Sequence, residues 1–170
     1  YINADFVSQF SNTDVRNLFV ASYTITNPAD FRRYTTRKFR FNFGSDVPLI
    51  RTAEMILIDA EALARTPGKE AEAHDLLYAL QKNRDANAVK STNTGAALID
   101  EILLERRKEL YAENGVEWFD AKRLRKGITR TGNHRIFKNL SADDKRFFLK
   151  VPQREIDANE SIDDSVNKDR

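Results

Sequence analysis

The sequence predicts a mostly α-helical protein: two antiparallel helix pairs in series, flanked by irregular and short-strand segments. Three observations carry this. Residues 95–113 have helical periodicity, with Ile99, Ile102, Leu103, Arg106, Leu110 and Glu113 on one side at about 100° per residue. Two sharp stops, Thr66-Pro67-Gly68 and Asn114-Gly115, each separate two helical patterns by a short loop, which forces antiparallel neighbours. Residues 1–45 carry ten aromatic rings but no long periodic run.

Composition narrows the class. An apolar content of 41% and a charged content of 32% belong to a folded domain, and 170 residues can bury a real core. No apolar run reaches the length of a membrane-spanning helix, and the opening residues lack the pattern of a signal peptide. With no cysteine, disulfides and thiolate chemistry are excluded. A net charge of +2 does not argue for nucleic acid.

In chain order, residues 1–45 read as an irregular segment continuing from a missing upstream part, residues 46–126 as the helix-pair scaffold, and residues 127–170 as loop, short strand and C-terminal tail. Within the first, 11–14 is a turn or cap cluster and 18–26 is rich in β-formers up to the break at Asn27-Pro28. Residues 37–43 alternate basic or polar with aromatic. That suits a half-buried strand with Phe39, Phe41 and Phe43 facing in; nucleic-acid stacking is the weaker reading. The aromatic load of the segment is expected to pack on something, such as a part outside this chain.

The first helix is predicted over 48–65, capped by Asp46 with Pro48 near its first turn. Ile50, Ala53, Leu57, Ala60 and Ala64 line one side, and Met55, Ile58 and Ala62 another, so it should lie between neighbours on several sides. The second is predicted over 69–86, with Ala73, Leu76, Leu77, Leu80 and Arg84 inward. The third runs over 95–113 from an N-cap at Thr94. The fourth spans 117–126 and buries Trp118, Phe119 and Leu124. Beyond it, 131–133 could turn a hairpin, 146–151 reads as a strand ended by Pro152, 155–157 as a brief turn, and the chain past Ser165 as a disordered tail.

Charge inside the apolar stripe is the chemical signal. Arg106 and Glu113 lie roughly 10 Å apart along the third helix, too far to pair with each other. Each needs a partner from another element, because an unpaired buried charge costs several kcal/mol. Glu54 and Glu61 are natural partners for Arg106 and Arg84. Glu101, Glu105, Glu109 and Glu113 recur at four-residue spacing and repel, so they require cations; Arg51, Arg84, Arg106 and Arg123 are available. Acid–base catalysis of glycoside cleavage would need carboxylates flanking a bond from opposite sides. These project from one helix in one direction, so a salt-bridge network is the better reading and no catalytic residue is assigned. Replacing Arg106 by Ala should cost roughly 3 kcal/mol or more, as breaking a buried pair does; an unchanged melting profile would refute burial of the network.

His74 lacks the Glu-x-x-His spacing of a di-iron bundle and His134 has no ligand neighbour in sequence, so no metal or cofactor is expected. The basic run 122–126 suits a solvated helix end, with a phosphate or protein contact as the alternative. Trp118, the single tryptophan, is either a packing residue or a platform for a sugar ring; it is the one candidate ligand-binding residue in this chain.

Three stretches together resemble the SusD/RagB family of outer-membrane nutrient-binding lipoproteins of Bacteroidota. Arg51, Ala53, Glu54, Met55, Leu57, Ala60, Glu61 and Ala62 match its first motif. Glu105, Arg106, Arg107, Glu109, Leu110, Glu113, Gly115, Trp118, Asp120 and Arg123 match a later one, and Pro152, Glu155, Ile156 and Asn159 the last. Departures fall at Gln81, Ala86 and Asn87, at the inserted Asn114, and at Val151 and Glu160 where proline is usual. The resemblance implies tetratricopeptide-like helix pairs and a non-enzymatic protein. Such a protein captures oligosaccharides or other nutrients at the cell surface and delivers them to a SusC-like TonB-dependent transporter. It also implies that the lipid-bearing cysteine and most ligand-stacking aromatics lie upstream, the matched motifs being scaffold. The competing reading is a helical-repeat module that binds a peptide or protein partner.

Overall fold

The structure, a computed structural model, describes residues 1–39, 42, 44 and 46–168. Its elements are α1 (Ala4–Val7), β1 (Phe19–Ala21), β2 (Tyr34–Thr36), α2 (Thr52–Ala64), α3 (Glu70–Arg84), α4 (Gly95–Leu110), α5 (Val116–Arg123) and α6 (Gln153–Ala158), with 3-10 turns at Lys145–Phe147 and Asp164–Asn167. The chain divides into two compact units. The first is Tyr1–Glu117 with Thr131–Arg135; the second is Trp118–Arg130 with the chain from Ile136 onward.

The first unit is built on α2. Ala53, Leu57, Ala60 and Ala64 recur at helical spacing and bury against Ala73, Leu77 and Leu80 of α3 and Leu98 and Ile102 of α4. Three alanines on that face let both neighbours come close. The tight turn after α2 uses Gly68 at φ 77°, a conformation glycine adopts without strain. The mostly helical, helix-paired class read from the sequence is therefore the one observed.

Several boundaries differ, each for a local reason. The first helix begins at Thr52, with Arg51 as an N-cap that makes no side-chain cap bond, so neither Asp46 nor Pro48 caps it. The Asn114 amide donates to the Pro48 and Leu49 carbonyls at 3.1 and 2.8 Å, taking acceptors a helix would need. Ile50 is consequently outside the core, 75% exposed. Met55 and Ile58 are also largely exposed, so α2 is covered by this chain on fewer sides than predicted. The third helix ends at Leu110, three residues before Glu113. Tyr111 is extended, and Ala112, Asn114 and Gly115 all take positive φ, turning the chain sharply into α5. Within α5 it is Val116 that is buried, while Phe119 stands 62% exposed.

β1 and β2 pair antiparallel with Phe19 opposite Thr36 and Ala21 opposite Tyr34. Of the predicted strand over 37–43, Arg40, Phe41 and Phe43 lie outside the described residues; the observed strand ends at Thr36. The aromatic load finds partners inside this chain. Phe6, Phe10 and Phe19 meet Tyr111 at the end of α4, with ring centroids 4.9 to 6.2 Å apart and mostly edge to face. Asn133 fixes the start of this unit, accepting from the Ala4 N–H at 2.7 Å and donating to the Asp30 carbonyl at 2.8 Å.

In the second unit, Ile128 and Leu140 form an isolated antiparallel bridge. A side chain at Gly127 would collide with the Leu140 carbonyl oxygen, so the two segments approach as closely as they do only because residue 127 is glycine. The predicted strand over 146–151 is instead a 3-10 turn at Lys145–Phe147, because the Asp144 carboxylate caps it by accepting from the Arg146 N–H at 2.9 Å. The predicted turn at 155–157 is the centre of α6. The tail is not without structure: Asn167 accepts from the Val151 N–H and donates to its carbonyl, both at 2.9 Å.

Candidate functional site

Glu109 is the focus of the first unit's polar chemistry. It lies on the inner face of α4 and its side chain is 3% exposed. Four N–H groups from three arginines converge on its two oxygens. Arg51 and Arg84 donate to Oε1 at 2.8 and 2.9 Å, and Arg16 and Arg84 donate to Oε2, each at 3.0 Å. Its backbone carbonyl also accepts, from Arg51 at 2.9 Å and from the Lys38 ammonium at 3.0 Å. Around it, Glu105 meets Arg16 at 2.6 Å, and Asp14 holds Arg16 through two bonds at 2.8 and 2.9 Å. Glu113 meets Lys38 at 2.5 Å and Arg51 through two bonds at 2.9 Å.

The sequence placed some of these pairs correctly. Arg106 meets Glu54 of α2 at 3.0 Å, and Glu113 finds cations from outside its own helix. Arg84, however, reaches Glu109 and not Glu61; Glu61 pairs with Arg65 one turn along α2 at 2.7 Å. Arg123 pairs with Asp120 at 2.7 Å. Arg16 and Lys38 were not anticipated. The only sequence signal for Arg16 was its place two residues after Asp14, at the end of a polar turn cluster.

Electrostatics fixes what these groups can do. Burial alone would raise the Glu109 pKa, but hydrogen bonds from Arg84 and Arg51 outweigh it and bring the value down to about 2. Glu113 is lowered in the same manner by Arg51 and Lys38 despite burial, and Asp14 by Arg16. A carboxylate held ionised by fixed guanidiniums is a poor proton donor at neutral pH, so Glu109 acts as an anchor for α2, α3 and the segment around Arg16. Its folded value lies below the unfolded one near 4.5. Its contribution is thus complete above about pH 4.5 and is lost as pH falls toward 2. Urea midpoints measured between pH 7 and 2 should drop across that window, and Glu109→Gln should flatten the drop.

Beside Glu113 the first unit has a cleft of about 820 Å³, lined by Phe39, Val47 and Pro48 together with Lys38 and Arg51. Among the described residues no group of three or more His, Cys, Asp or Glu side chains is placed to hold a metal ion. No helix among them is long and apolar enough to cross a membrane. In the second unit Trp118 is half-buried and its ring lies 4.8 Å from that of Phe147, tilted by 43°. Phe148 beside it in sequence is 54% exposed.

Paired helices tied by a buried carboxylate hub define a helical scaffold, one in which the charged residues of the central helix are structural. The chain belongs to the SusD family, whose sequence profile matches residues 10–166. Its fold is that of a SusD-like carbohydrate binding protein from Bacteroides vulgatus, with a TM-score of 0.76 at 22% identity over 94% of this chain. It is also that of a protein from the same organism described as a putative sugar binding protein, with a TM-score of 0.70 at 23% identity over 91% of this chain. The chain spans 40% and 36% of those two proteins' lengths. No curated protein sequence matches it. The residues that carry the family resemblance, Arg51, Glu54, Glu105, Arg106, Glu109 and Glu113, are those that build the hub and its flanking ion pairs.

Proposed function

We propose that this chain is part of a non-catalytic carbohydrate-binding protein of the bacterial cell surface. It is held at the outer membrane by a lipid anchor outside these residues and delivers oligosaccharides to a SusC-like TonB-dependent transporter. The observation that carries this reading is membership of the SusD family over residues 10–166. The names of the two solved proteins of the same fold support it. The hub supports a scaffold role for α2 to α4, because both oxygens of Glu109 are engaged by arginines from separate parts of the chain. Within this chain Trp118 is the candidate sugar-stacking residue: its flat, apolar ring has an N–H handle and is backed by Phe147.

Affinity electrophoresis through gels loaded with a panel of polysaccharides tests the reading. Retardation of this chain by a glycan, diminished in Trp118→Ala, is the expected result. Retardation of the whole protein alone would place the sugar site outside these residues. Failure of both on every glycan would favour a peptide-binding module. Co-purification of the whole protein with a TonB-dependent transporter from detergent-solubilised membranes tests the delivery step.

A further inference from the structure

The second unit carries a charge asymmetry that the hub does not explain. Residues 122–130 and 136–150 contain nine Lys and Arg against two acids, Asp143 and Asp144. The fold lays these two basic segments side by side. Trp118 meets Phe147, Lys122 stands over Phe148 with its ammonium 4.6 Å from the ring centre, and Arg125 pairs with Asp143 at 2.5 Å. Further along, Ile128 bridges Leu140, and the Arg130 N–H donates to the Asn139 side-chain oxygen at 2.8 Å. From Arg125 with Asp143, through Ile128 with Leu140, to Arg130 with Asn139, the contacts step along one segment as they step back along the other, so the two basic segments form one antiparallel strip.

Both acids of the strip are already engaged, Asp143 by Arg125 and Asp144 by Arg146 at 2.7 Å. The acids of the following segment serve their own turns. Asp163 caps the last 3-10 turn, accepting from the Ser165 N–H at 2.7 Å, and Asp157 and Asp164 accept from Gln153 at 3.0 and 3.2 Å. Lys122, Lys138 and Lys150 are exposed and make no ion pair among the described residues. Exposed rings are interleaved with these cations: Phe119 is 62%, Phe137 70% and Phe148 54% exposed.

We propose that this strip binds an acidic polysaccharide, one whose sugar rings carry carboxylate or sulfate groups. The proposal rests on the carbohydrate-binding reading above and names the substrate class. A ring and a cation in contact suit such a sugar on two counts: the apolar face of the pyranose stacks on Phe148 while its anionic substituent meets Lys122. Exposed lysines supplied by both segments suit the repeated charges of a polyanion. A membrane surface is the less fitting occupant, because the exposed rings alternate with charges and do not form one continuous apolar face.

The test uses the intact chain and its Lys122→Glu/Lys138→Glu/Lys150→Glu and Phe148→Ala variants, each checked for native circular dichroism. Probes are polygalacturonate, dextran sulfate and neutral dextran in affinity gels, with phosphatidylglycerol vesicles as a separate arm. The wild type should be retarded by polygalacturonate, dextran sulfate or both, more weakly as salt rises, and the triple variant should bind at least about tenfold more weakly. Phe148→Ala should weaken binding while leaving the salt dependence unchanged, which pure charge attraction would not predict. Equal binding by the triple variant, or tight vesicle binding that soluble acidic glycans do not displace, overturns the proposal. Retardation by neutral dextran alone overturns it while leaving carbohydrate binding standing. Absence of binding of this chain to every glycan overturns the proposal, and the carbohydrate-binding reading falls with it only if the whole protein is not retarded either.

Discussion

Replacing Glu109 by Gln is expected to lower the unfolding free energy by about 3–5 kcal/mol, the cost of breaking a buried ion pair by removing one partner. The substitution keeps size and shape but removes the charge on which Arg16, Arg51 and Arg84 converge. It also turns one acceptor into an amide donor facing guanidinium N–H groups, which have no acceptor capacity of their own. Desolvated cations are left with less than they had, so the loss exceeds that of an ordinary hydrogen bond. Urea titration at pH 7 measures it. The exposed Lys69–Glu72 pair of α3 is the control, since Glu72→Gln should stay within roughly 0.5 kcal/mol of the parent. If Glu109→Gln also stayed within that range, the hub would have to be open to water.

Leu57→Ala should cost about 3–5 kcal/mol. Leu57 is fully buried, and α2 packs through it and its neighbours against both α3 and α4. The buried residues sharing its face of the helix include Ala53, Ala60 and Ala64, which cannot extend to fill the space vacated, and Leu77, Leu98 and Ile102 are themselves fully buried. The cavity therefore stays open. Ile58→Ala, one residue along and 47% exposed, should cost less than about 1 kcal/mol. Thermal melting of the two variants side by side separates burial from helix propensity, because both substitutions introduce alanine into the same helix.

How legible this protein was in its sequence depended on how local each determinant is. The helix pairs were readable because periodicity and the stops at Thr66-Pro67-Gly68 and Gly115 act within a few residues. The need of Arg106 and Glu113 for outside partners was readable from their place in an apolar stripe, and Glu54 was the right partner for Arg106 because α2 and α4 pack face to face. The hub was not readable. Glu109 draws Arg16 and Lys38 from segments with no periodicity, 93 and 71 positions away, and nothing local marks either as a buried cation. Helix ends were missed where a distant side chain decided them, as Asn114 does by capturing the Pro48 and Leu49 carbonyls. The candidate site was the least legible part: a tryptophan half-covered by Phe147 satisfies both the packing reading and the stacking one.

Glu109 joins parts of the chain that lie 25, 58 and 93 positions from it. A partly assembled hub is worse than none, since it would hold a desolvated carboxylate with too few donors. The full set of donors is therefore in place only once α2, α3 and the segment around Arg16 have all reached α4. Interactions made so late in folding add little to the rate at which the chain folds and much to the barrier against its opening. Slow opening is the property that limits cleavage by proteases when cutting outpaces reclosing.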